Sequence, residues 1–122
     1  MAKLFIIAGS LVAAASVALG AFGAHALKAR LSVEQLATYQ TGVHYQMIHA
    51  LALVLIGLLL ERQASTLLTV AGFTCLSGIF LFSGSLYLLA TTSMRWPGPV
   101  TPLGGLAFIA AWLMVAVAVV NR

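Results

Sequence analysis

Acidic residues are almost missing from this chain: it has no aspartate, and Glu34 and Glu61 are the only side-chain carboxylates in 122 residues. A Ser-His pair would therefore lack the carboxylate that usually orients its imidazole, which argues against hydrolytic catalysis. Both glutamates fall outside the apolar runs, so a proton-coupled transporter built on acids inside the membrane has no material either. The six Lys and Arg give a formal charge of +4 but stand singly along the chain. Nucleic-acid binding needs a massed basic footprint, and none is present. The one cysteine, Cys75, cannot form an internal disulfide, so the redox compartment is unreadable. Three histidines and that distant thiol make a poor metal site, which needs three or four converging ligands. Haem held by His25 and His49 would require both rings at one depth, and His25 stands shallower. No cofactor, no metal and no enzymatic activity are expected. Proline is confined to Pro97, Pro99 and Pro102.

What the chain has is apolar length. Hydrophobic residues make up 62% of it, charged residues 7%, and the mean hydropathy is +1.10, well outside the range of soluble domains. A bilayer core about 30 Å thick needs roughly 20 apolar residues per helix. Four such blocks stand at 4–24, 43–60, 66–89 and 103–120. The expected fold is an all-α membrane protein, a single four-transmembrane-helix bundle, with a short amphipathic helix between spans one and two. The first block resembles a signal peptide in its basic start at Lys3 and in Ala24-His25-Ala26, but its apolar run is longer than such segments carry.

Small residues mark the packing seams. Gly9, Ala13, Ser16, Gly20 and Gly23 form a stripe on the first span, and Gly104, Ala107, Ala111, Met114 and Ala118 form one on the fourth. Such stripes let helix backbones approach closely in lipid, which predicts a first span tightly packed inside the bundle. Between the first two spans, Ser32 followed by Gln35 has the form of a capping box, so a helix should start near Val33. It either lies on the membrane surface or merges into the second span. The short connection before Thr66 makes spans two and three antiparallel neighbours, and Pro102 suits the first residue of the last helix.

Four spans put both termini on one side. Polar residues collect on the other: His25, Tyr39, Gln40, His44, Tyr45, Gln46, His49, Ser83, Ser85, Tyr87, Trp96 and Thr101 all fall toward it. Lys3, Arg62 and Arg122 on one side balance Lys28, Arg30 and Arg95 on the other, so the positive-inside rule assigns no compartment. His49 is the sharpest feature. It lies 12 residues from Glu61, roughly 18 Å deep at 1.5 Å per residue, and ionisable groups at such depth mark a site by default. The plainer reading is a neutral imidazole that locks helices together through a hydrogen bond. Trp112, near the middle of span four, also needs a partner for its N–H.

Four motifs then stand out in order: GAFGAHAL at 20–27, TGVHYQMIHAL at 41–51, FSGSLY at 82–87 and TPLGG at 101–105. Together they resemble the small bacterial inner-membrane proteins of the domain of unknown function 423 family, which has transmembrane protein 256-like eukaryotic relatives. The resemblance implies a four-helix, multi-pass inner-membrane protein without an assigned activity. Ala111 stands where the resemblance leads one to expect a glycine before Trp112. Carried over by motif, the residues of interest are His25, Tyr45, Gln46, His49, Ser83, Ser85, Tyr87 and Thr101. The expectation is that His25, Tyr45, Gln46 and His49 form one hydrogen-bonded cluster with Ser83, Ser85 or Tyr87. The function expected is binding of lipid, a small amphipathic ligand or a membrane-protein partner, including a second copy. The alternative is an oligomeric channel or transporter lined by His49, Tyr45 and Ser85.

Overall fold

A computed structural model describes residues 1–122. Helix α1 spans Ala2–Phe22 and runs into a π-helical turn, Gly23–Leu27. Helix α2 spans Val33–Arg62, and α3 spans Thr66–Gly78. A second π-helical turn, Ile79–Gly84, leads into α4, Ser85–Thr91, and α5 spans Val100–Val120. Joined through their π-helical turns, these make four helices long and apolar enough to cross a membrane: Ala2–Leu27, Val33–Arg62, Thr66–Thr91 and Val100–Val120.

The helix expected between the first two spans is not a separate element. Ser32 opens α2 with a complete capping box: its Oγ accepts the Gln35 N–H at 3.1 Å, and its own N–H donates to Gln35 Oε1 at 3.0 Å. From there the helix runs unbroken to Arg62. No proline or unsatisfied turn interrupts it, so the amphipathic segment becomes the first turns of span two. Ser65 starts the next helix by accepting the Leu68 N–H at 3.1 Å. Helix α5 begins at Val100, which places Pro102 in its first turn rather than at its first residue. The missing N–H costs nothing there.

Helix α2 and the third span form the central pair. Helix α1 packs along α2, and α5 packs along the third span. The seams are set by glycines. At Gly9 an added Cβ would lie 2.7 Å from the Ala50 carbonyl oxygen, and at Gly57 it would lie 2.8 Å from that of Ala2. Gly104 sits directly on the backbone of Phe82. Between the helices a core of Phe5, Leu53, Ile56, Leu68, Cys75 and Phe108 fills the centre with side chains. Ala111 lies buried in the same core, so the larger residue is accommodated.

Helix α1 departs from expectation. Its small-residue stripe does face α2, with Gly9 and Ser16 buried. Phe5 is buried on the same side, against Gly72 and Phe73 of α3, but most of the remaining surface is exposed, and α1 lies at the edge of the bundle rather than inside it. A single apolar stripe buries one face only. Both termini do meet at one end. Met1, Ala2, Leu60 and Ser65 line one hollow there, and Arg122 donates from Nη2 to the Leu59 carbonyl at 3.0 Å.

Candidate functional site

The polar residues gather toward the end opposite the termini, but they form three groups rather than one. The first is centred on His49, which is buried on α2. Its Nδ1 lies 2.7 Å from the Tyr45 carbonyl oxygen. A carbonyl only accepts, so Nδ1 carries the hydrogen. Nε2 is then a bare lone pair, and it accepts the Trp112 indole N–H at 3.0 Å. The ring is thus a neutral imidazole in one tautomer, with both nitrogens committed. Phe108 stacks on it with centroids 3.5 Å apart and planes 9° from parallel. Tyr45, Phe82, Phe108 and Trp112 surround a crevice of about 380 Å³ between α2 and α5, with His49 at its base. Cys75 reaches the same stretch of α2, donating its thiol to the His49 carbonyl at 3.6 Å.

The second group is centred on Gln46, three residues earlier, which faces α1 instead. Its Nε2 donates to the Val12 carbonyl at 3.1 Å, which fixes the amide orientation because that oxygen can only accept. Oε1 accepts the Tyr87 O–H at 2.5 Å. Tyr87 reaches it because Gly42 leaves room: a Cβ there would lie 2.8 Å from the tyrosine ring. Ser83 donates to the Gly42 carbonyl at 2.7 Å. Tyr39 continues the line toward the end of α1, donating to the Leu19 carbonyl at 2.6 Å with its ring over Gly23.

The third group is the Ser85–Thr101 hydroxyl pair, which ties α4 to α5, with Ser85 also donating to the Phe82 carbonyl at 2.8 Å. The π-helical turn between Ile79 and Gly84 is what brings these groups into position. Over six residues it carries Phe82 onto Gly104, Ser83 onto Gly42 and Ser85 toward Thr101. Such turns recur where a helix must re-aim side chains.

The single cluster expected from the sequence is therefore corrected in three ways. His25 is exposed on the π-helical turn after α1 and joins no group. Tyr45 contributes its backbone carbonyl, while its ring, 40% exposed, packs against Phe82 at 4.7 Å. His49 bonds to Trp112, not to Ser83, Ser85 or Tyr87. The reason is helical geometry. Gln46 and His49 stand three residues apart, about 60° around the axis, so they serve different neighbours across a narrow helix. Trp112 and the Val12 carbonyl are the partners that the motifs miss. An indole N–H at mid-span was the available signal for the first, and a backbone carbonyl leaves no trace in the sequence for the second.

Every buried side-chain nitrogen and oxygen has a hydrogen-bond partner. The groups therefore hold the helices together, and two of them also line crevices. The Gln46 group floors a hollow of about 380 Å³ between α1 and the third span, with Leu11, Val12, Ala15, Ile79 and Phe80 as its walls.

The family described as "Protein of unknown function (DUF423)" matches residues 19–105, a stretch that holds Tyr45, Gln46, His49, Ser83, Ser85, Tyr87 and Thr101 but not Leu11, Val12, Ala15, Phe108 or Trp112. The chain is 45% identical over 120 residues to UPF0382 membrane protein YwdK of Bacillus subtilis, covering 98% of both chains. It is 46% identical over 115 residues to UPF0382 membrane protein SH2409 of Staphylococcus haemolyticus, covering 94% of this chain and 93% of that one. No solved structure matches. With the apolar helices, the motifs and the near-full-length relatives in agreement, the chain belongs to the DUF423 family of membrane proteins, to which no biochemical activity is assigned.

Proposed function

We propose that this is a non-enzymatic membrane protein that binds an amphipathic ligand or a membrane partner through a polar pocket on the side opposite its termini. The observation that carries this reading is the Gln46 group. A primary amide, a phenol and a hydroxyl lie side by side at the floor of a crevice whose walls are aliphatic and aromatic. Ligand sites commonly have this make-up, mostly apolar with a few placed polar groups. The His49 group supports a lock between helices, because both ring nitrogens are engaged within the protein. The centre of the bundle is filled by side chains, and Ser85 is paired with Thr101. Both facts favour binding over an oligomeric channel lined by His49, Tyr45 and Ser85. We propose the inner (plasma) membrane of a bacterium as its location, in keeping with the bacterial sources of its relatives.

The experiment is purification in mild detergent followed by mass spectrometry of co-purifying lipids and proteins, with solute flux measured in liposomes. Retention of a defined molecule without flux is the expected result. Flux above that of empty liposomes would turn the assignment to a channel.

A further inference from the structure

The crevice between α1 and the third span has properties that restrict what can occupy it. It opens sideways into the bilayer, because Leu11 and Phe80 at its lips are 67% and 70% exposed. No charged residue lines it. From Ile79 to Tyr87 it follows the third span over eight residue steps, roughly 12 Å at 1.5 Å per residue. That length and its volume of about 380 Å³ suit part of a long apolar chain.

The hydrogen-bond inventory of its floor is specific. Ser83 has spent its O–H on Gly42, and Tyr87 has spent its O–H on Gln46. Gln46 Nε2 carries two N–H groups and uses one on Val12. The second is the one side-chain donor on the floor without a partner inside the protein, so an occupant that presents an acceptor gains a hydrogen bond there. Depth limits its charge. Gln46 lies 15 residues from Glu61, about 22 Å along the helix, so it sits roughly 8 Å beneath the far boundary of a 30 Å core. An ionised headgroup drawn to that level without a partner would lose its hydration uncompensated.

We infer that this crevice takes an uncharged long-chain lipid whose carbonyl oxygen accepts the second N–H of Gln46, with its chain lying between Leu11 and Ala15 on one wall and Ile79 and Phe80 on the other. This deepens the binding reading above and rests on it. Two sources share the chemistry: an ester carbonyl of a diacylglycerol-like lipid and a ring carbonyl of an alkyl benzoquinone.

Gly84 provides the means of testing it. A Cβ built there meets nothing within 4 Å, so Gly84→Phe should fill the crevice without disturbing the bundle. Ala15→Phe fills it from the opposite wall. Gly105→Phe, in the crevice between α2 and α5, serves as the control. The full chain is placed in phosphatidylethanolamine and phosphatidylglycerol nanodiscs. Photoreactive probes of three kinds are added, diacylglycerol, alkyl benzoquinone and phosphatidylglycerol, each with the reactive group on its chain. Labelled residues are mapped by mass spectrometry, and detergent melting confirms that each variant is folded. At least one uncharged probe should label Leu11, Ala15 or Phe80 about tenfold more than the charged probe. The probe that labels identifies the source. Both plugging variants should lose that label about tenfold while Gly105→Phe keeps it. Equal labelling by phosphatidylglycerol overturns the inference, and so does labelling that survives both plugs. Absence of labelling while another molecule still co-purifies overturns this inference and spares the broader reading. If nothing co-purifies at all, both fall.

Discussion

His49 shows how a single buried ring is held by its surroundings. Its backbone acceptor is four residues back on its own helix, and its donor, Trp112, is 63 residues away on α5. Trp112→Phe keeps the aromatic surface but leaves the Nε2 lone pair without its donor. Interhelical hydrogen bonds in membranes average about 0.6 kcal/mol, while an orphaned buried acceptor costs about 1–3 kcal/mol. The second figure applies where loss of the indole leaves Nε2 facing the apolar crevice walls, Phe82, Phe108 and Ile109. Trp112→Phe should therefore lower the melting temperature in detergent measurably. His49→Leu should do so too, and the double variant should lose less than the sum of the two, since they remove one interaction. If His49→Leu melts like the parent and loses a co-purifying ligand instead, the helix-lock account is wrong.

At the scale of the element, the glycines divide into those that set a seam and those that do not. Gly9→Leu must push α1 away from the Ala50 carbonyl, which cannot yield as a flexible side chain would. Overpacking of this kind costs about 1–3 kcal/mol, read as a loss of detergent melting temperature. Gly84→Ala meets open space and should stay within about 0.5 kcal/mol of the parent. The start of α2 offers an independent check. Ser32→Ala removes the cap on Gln35 and should cost about 1 kcal/mol locally. The observable is faster amide exchange at Val33 to Gln35, with the bundle itself intact.

For the molecule as a whole, the arrangement of ends is the prediction most easily overturned. Single cysteines introduced at Lys3, Gln63 and Arg122 should label from one side of the membrane, and one at Trp96 should label from the other. The buried thiol of Cys75 should stay silent throughout. Labelling of positions 3 and 96 from the same side would remove the four-span topology. The bundle also has an asymmetry that bears on function. Helices α1 and α5 pack along different members of the central pair, and a crevice opens beside each of them.

The sequence by itself determined the class, the number of spans, the capping box at Ser32 and the end at which polar groups gather. These follow from composition, length and local chemistry, which act over a few residues. It also marked the glycine stripe by which α1 meets α2. It could not show that α2 runs unbroken from Val33, since an amphipathic turn at an interface reads alike whether or not it joins the span that follows. Nor could it divide the polar residues into their groups. Tyr45, Gln46 and His49 read as one motif because they are neighbours in the chain, whereas their partners are a backbone carbonyl on α1 and an indole on α5. The choice between those partners depends on how far apart three helices stand at one depth. That distance is set by Gly42, Gly104 and the π-helical turn acting together, so only the assembled bundle decides it.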